Sequence, residues 1–232
     1  FLTHPPVYFV HRRGCCNYDW PIPGGCSPPQ TTSSHTLIGM ARELHKCLIS
    51  YFTQLEKSDI KWKEWKDAVN RPLEGLRNQG EQLHVDEAEL CNVDSLRSKL
   101  IFKILMGLED EVALILNILT QFNKANQDLK NRLKNLEDAR SKVLVKDESM
   151  AELVNGTAYR PRLDLLLEWA VDGFEYYHEL YVRINKSMKE LDYKDEETID
   201  KLTKSLIEDR FQRCRIDRVL GFTQFLIKET VR

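Results

Sequence analysis

The sequence predicts an all-α protein, an elongated up-and-down helical bundle with long coiled-coil-like helices behind a disordered N-terminal segment. Three observations predict it. From Met40 to Arg232 only two prolines, Pro72 and Pro161, punctuate a stretch rich in Leu, Glu and Lys. Its apolar residues recur at alternating spacings of three and four, the rhythm of helices packed lengthwise. No run of alternating β-branched residues is present to build a sheet.

Residues 1–39 are set apart by composition. They hold six of the eight prolines, four glycines, three cysteines and one acid, Asp19. Proline fixes φ and removes a donor, so no long helix forms there. The segment reads as upstream translated sequence or a trimmed leader, expected to be disordered, and residues 40–232 as a single helical domain. The first seam runs Leu44, Leu48, Tyr51, Leu55, Ser58, Trp62, Trp65, Val69, Pro72, Leu76, Gln79 and Leu83, in phase through Pro72, as one kinked helix or two coaxial ones. A turn-like stretch, His84 to Asp94, follows, with Asp94 placed to cap the next helix. The second seam runs Ile101, Leu105, Leu108, Val112, Ile115, Leu119, Phe122, Asn126, Leu129, Leu133 and Leu136. The third, opened by Pro161 in a first turn, runs Leu163, Leu167, Ala170, Phe174, Tyr177, Tyr181, Ile184, Met188 and Leu191. Beyond a turn at Asp192 to Glu197, the residues Ile199, Leu202, Leu206, Phe211, Cys214, Val219, Phe222, Phe225 and Leu226 predict a last helix that packs on two neighbours.

With 34 basic against 36 acidic residues, the net charge of −2 argues against a nucleic-acid clamp. Apolar runs such as Val112 to Leu116 fall far short of the roughly 20 residues of a membrane helix. A phosphate loop, a dinucleotide fingerprint, an HExxH helix and a nucleophile elbow are all missing from the sequence. Only His11 and Cys15 stand at a helical ligand spacing, in the proline-rich segment where no long helix forms, and no CxxC pair exists, so no metal or cofactor is expected. Cys47, Cys91 and Cys214 are widely spaced, as reduced thiols are. Acidic groups such as Glu109, Asp110 and Glu111, or Asp195, Glu196 and Glu197, read as solvated faces or first-turn charges rather than acid–base pairs. These observations together speak against an enzyme.

Two features stand outside the core pattern. Asn126 is the polar residue of the second seam, either solvated where the bundle frays or setting register against another helix. On either view it tolerates polarity, and a charge at Leu119 is expected to do far more damage than one at 126. Trp169 and Tyr176, seven apart and off the third seam, read either as packing or as a second contact surface for another chain. Trp169, Tyr176 and Asn126 are therefore the candidate partner-binding residues.

The stretch Pro161 to Trp169, continuing to Asp172, Tyr177 and Tyr181, resembles the signature P-x-x-x-x-x-L-E-W-x-x-D-x-x-x-x-Y-x-x-x-Y of the AIRIM family of small helical ribosome-maturation factors. Leu44-His-Lys-Cys47, a Trp at 62 or 65, Pro72-Leu73 with Leu76, and Glu81-Gln-Leu83 follow that family's order, as does Leu108-Glu-Asp-Glu before the long heptad helix. The similarity covers residues 43 to about 190 in patches; beyond that only the apolar rhythm agrees. The resemblance implies a noncatalytic adaptor that pairs with a second helical protein, resembling the CDK-binding protein CINP, and docks on AAA-type ATPases. It further implies maturation of the large ribosomal subunit, a link to chromatin replication, and both cytoplasmic and nuclear locations. Without the resemblance, the same helices read as a cytoskeletal or trafficking scaffold, spectrin-like or BAR-like. The interleaved charges of Glu137-Asp138-Ala139-Arg140 speak against a cationic concave face.

Overall fold

A stripe of apolar side chains that keeps one phase for fifty residues is buried most fully by another helix laid along its length. The computed structural model describes residues 34–89, 94–143, 150–157 and 160–228. Its helices are α1 (Ser34–Glu89), α2 (Asp94–Ser141), the one-turn α3 (Ala151–Asn155), α4 (Leu163–Lys189), α5 (Glu196–Ser205) and α6 (Arg210–Lys228), with no strand among the described residues. All of them belong to one compact unit, Ser33–Arg232.

Directions follow from residue pairs. Ser50 meets Arg132, Trp62 stacks on Phe122 and Gly75 abuts Glu111, so α1 and α2 run antiparallel. Tyr51 meets Ala170, Leu55 meets Gly173 and Asp59 meets Tyr177, at near-constant offset, so α4 lies parallel to α1. Arg77 pairs with Asp200 and Asp59 with Arg213, which returns α5 and α6 antiparallel to α1. The bundle is thus up-and-down with four arms, the fourth built from α5 and α6 in succession.

The first seam is buried along its length: Leu44, Leu48, Tyr51, Leu55 and Leu76 are fully covered, and Trp62, Val69 and Leu83 nearly so. Helix α1 continues unbroken through the buried Pro72. An interior proline costs about 3 kcal/mol through its lost hydrogen bond and ring clash. Val69, Leu73 and Leu76, buried on both sides of it, keep the helix on course. In α2 the buried side is Ile104, Leu108, Ile115, Leu119, Phe122, Leu129, Leu133 and Leu136, close to the expected seam. Helix α4 buries a wider face. Beside Leu163, Ala170, Tyr177, Ile184 and Met188 it covers Leu166, Gly173, Tyr176 and Leu180, because a fourth arm lies against its second side.

Several expectations need correction. Helix α1 starts at Ser34 rather than Met40, so residues 34–39 are helical instead of disordered; past Pro29 the chain carries no proline to prevent it. The rest of the N-terminal expectation, residues 1–33, lies outside the described residues. Pro161 stands ahead of the N-cap Arg162 instead of in the first turn of α4. Between α2 and α4 the chain is anchored rather than loose: Met150 and Leu153 are buried around α3. Gly156 then turns the chain at φ 76°, where an added Cβ would meet the Arg160 carbonyl oxygen at 2.6 Å. The single last helix is two, broken at 206–209. Asp209 restarts it by accepting from the Gln212 amide at 2.8 Å, as Asp195 opens α5 by accepting from the Glu197 amide at 3.0 Å.

Glycines measure how tightly the arms approach. A Cβ on Gly173 would lie 2.9 Å from Leu55 Cδ2 and 3.3 Å from the Tyr51 hydroxyl, whereas one on Gly221 would meet nothing within 4 Å. Gly221→Ala is therefore expected to raise stability by about 0.5–1 kcal/mol through helix propensity alone. Gly173→Ala is expected to lower it, because overpacking of about 1–3 kcal/mol exceeds the same gain. Urea midpoints of the two variants check the pair.

Candidate functional site

Where α1, α4 and the fourth arm meet, charged groups are gathered rather than excluded. Asp59, buried in α1, accepts from the Tyr177 hydroxyl at 2.7 Å, from Arg213 Nη1 at 2.5 Å and from Lys63 Nζ at 2.8 Å. Glu208, between α5 and α6, accepts from the Tyr176 hydroxyl at 2.5 Å and from Lys66 Nζ at 3.0 Å. Arg213 joins the two carboxylates, standing 3.5 Å from Glu208, and its other nitrogen reaches Asp217 at 2.5 Å. Arg183 of α4 donates to the Ser205 and Ile207 carbonyls at 3.0 and 2.8 Å, satisfying acceptors freed where α5 ends.

The electrostatics follow from this geometry. Burial opposes ionisation of Asp59, but the hydrogen bonds from Arg213, Lys63 and Tyr177 outweigh it and hold the carboxyl below its ordinary range. Glu208 is likewise held low, burial being outweighed by Tyr176 and Lys66. Burial and the facing carboxylates push both tyrosine hydroxyls upward, so they stay neutral donors. Burial opposes the charge of Arg213, yet Asp59 and Asp217 raise its pKa. The arrangement is a closed clasp in which each carboxylate is filled by donors of this chain. Sequence reasoning missed Asp59, Glu208 and Arg213. The available signal was Ser58-Asp59, a polar pair at the level where α1 should be apolar.

The structure settles where the three candidate residues lie. Asn126 is not solvated: it is buried, and its Nδ2 donates to the Tyr177 carbonyl at 3.1 Å, joining α2 to α4. Tyr176 is buried against Tyr177 with its hydroxyl on Glu208, so the open docking face drawn through it is occupied by the chain's own fourth arm. Trp169 is half-buried and stacks on Phe222 of α6, ring centroids 5.7 Å apart. Trp62, Trp65 and Phe122, with Leu119, Ile184 and Leu202, line an apolar crevice between the arms. Cys47 and Cys214 are free thiols, and Cys91 lies outside the described residues. Among the described residues no helix is long and apolar enough to cross a membrane.

A family model described as ribosome biogenesis protein C1orf109-like matches residues 42–220. The chain belongs to this family. The match runs about thirty residues past the last recognisable sequence motif, to Leu220 in α6. No curated protein matches the chain. The residues that carry the C1orf109-like resemblance hold the fold together: Tyr177 binds Asp59, Tyr181 packs edge-on against Phe122 at 5.9 Å, and Asp172 accepts from Arg215 at 2.5 Å. Leu44 and Leu76 are fully buried.

Two predictions follow from the clasp and from Asn126. Asp59 and Glu208 have folded-state pKa values below their unfolded ones, so their stabilisation is present at neutral pH and is lost as pH falls below about 4. The tyrosines have raised values, so theirs is present below about pH 10 and lost above it. Against an Asp59→Asn, Tyr176→Phe, Tyr177→Phe background, the clasp's contribution measured by chemical denaturation should be constant between these limits. Asn126→Asp would set a carboxylate against the Tyr177 carbonyl and remove a donor, so it is expected to cost about 2–4 kcal/mol, comparable with Leu119→Asp. Thermal unfolding of the two variants side by side checks this.

Proposed function

We propose that this ribosome biogenesis protein is a noncatalytic adaptor in maturation of the large ribosomal subunit. It pairs with a second helical protein, CINP-like, and docks AAA-type ATPases, which supply the chemistry, in both cytoplasm and nucleus. Membership of the C1orf109-like family supports the process. The observation that carries the adaptor role is apolar surface turned away from the core. Phe102, Met106, Leu114 and Leu116 of α2 and Phe211, Phe222 and Phe225 of α6 are all exposed, on helices whose other sides are fully packed. Aromatic side chains left in water at regular helical spacing suit a protein that is completed by other chains.

Tagged full-length chain purified from cells is expected to recover AAA-type ATPase subunits, a second helical protein and large-subunit precursors together. Recovery of membrane-trafficking or cytoskeletal proteins in their place would replace the adaptor with a scaffold.

A further inference from the structure

Helix α6 carries two apolar stripes, and the bundle uses one. Ile216, Val219, Thr223 and Leu226 face the core and are buried. Phe211, Cys214, Arg218, Phe222 and Phe225 follow at spacings of three, four, four and three, which at about 100° per residue places them within about 80° on another side of the helix. That stripe is open: Phe211 is 81% exposed, Phe222 52% and Phe225 48%, and Cys214 and Arg218 are exposed. The spacing is close to that of a coiled-coil seam, and among the described residues no helix covers it.

Charge selects the occupant. Around the stripe Asp217 is tied to Arg213, and Arg215 to Asp172 and Glu168. Among the described residues Arg210 and Arg218 have no ion-pair partner, and Arg218 sits at the stripe's midpoint between the phenylalanines. A second copy laid on this face about a two-fold axis would match 211 with 225 and set Arg218 against Arg218, a like-charge contact at the centre of the interface. Residues 1–33 cannot complement it either: they hold Arg12 and Arg13 against the single acid Asp19, with six prolines.

We propose that the outer stripe of α6 is a docking surface for an amphipathic helix of another protein, its apolar seam seated on Phe211, Phe222 and Phe225 and a central acid paired with Arg218. The proposal rests on the adaptor reading, to which it assigns a surface. Trp169, stacked beneath Phe222, fixes that ring from the side of α4.

The test uses the full chain and two labelled three-heptad helical peptides with leucine seams, identical except for Glu or Lys at the central position. In low salt the Glu peptide is expected to bind roughly tenfold more tightly than the Lys peptide, and Arg218→Glu to reverse that order. Phe211→Ser with Phe225→Ser should abolish both while helicity is unchanged, since these rings are exposed. Equal binding of the two peptides, or indifference to residue 218, would overturn the proposal. So would binding of a single-stranded RNA oligonucleotide that depends on Arg218, or self-association in sedimentation that Glu109→Arg removes. The α2 stripe Phe102, Met106, Glu109, Ala113 and Leu116 has the same overall length and the opposite central charge. The double Phe variant, tagged in cells, separates the two readings. Should it still recover ATPase and precursors, the adaptor stands and this surface falls; peptide binding by a wild-type chain that recovers neither would show the reverse.

Discussion

A carboxylate near the middle of a 56-residue helix must be neutralised where it lies, and Asp59 is neutralised mainly by groups from outside α1. Tyr177 comes from α4 and Arg213 from α6, so one buried charge fixes two further arms against the first. A buried ion pair seldom adds net stability over an apolar contact of the same volume, but breaking one by removing a partner costs about 3–5 kcal/mol. Its contribution is therefore geometrical. Leucine seams between long helices slide by a heptad at modest cost; a charge with fixed donors does not. Asn126, donating from α2 to the carbonyl of the same Tyr177, sets the remaining arm at the same level.

This level of the bundle also explains how a thin core carries an open aromatic face. The α1–α2 pair is packed along its length mainly by apolar side chains, from Leu48 to Leu83 on one helix and Ile104 to Leu136 on the other. The fourth arm is shorter and broken, with its buried apolar residues confined to Ile199, Leu202, Leu206, Ile216, Val219 and Leu226. Glu208 at the break, Arg183 on the carbonyls beside it and Asp209 at the start of α6 orient the final helix by polar contacts. With its orientation fixed that way, α6 can leave Phe211 and Phe225 in water without losing its place.

Much of this fold was legible in the sequence because heptad rhythm is a direct record of burial. The first two seams match the buried residues almost position for position, including the passage through Pro72. The break between α5 and α6 was concealed by the same rhythm, although Asp209 three residues before Gln212 has the spacing of a helix start. Asn126 was undecidable from sequence since its partner is a backbone carbonyl 51 residues away. Tyr176 was open for a related reason: an aromatic off the seam reads as packing or as a contact surface until the arm covering it is known. The family resemblance was legible in residues such as Tyr177, Tyr181 and Asp172, whose contacts explain why those types stand at those places.

The central claim is that the Asp59 clasp holds the C-terminal arm in place while the α1–α2 pair stands without it. Native-state hydrogen exchange, resolved by segment in the full chain and in Asp59→Asn, tests it most directly. The account predicts that amides of α5 and α6 lose protection by at least an order of magnitude, while those of α1 and α2 around Leu76 and Leu108 change little. Uniform loss across all helices, or unchanged protection in α6, would contradict it.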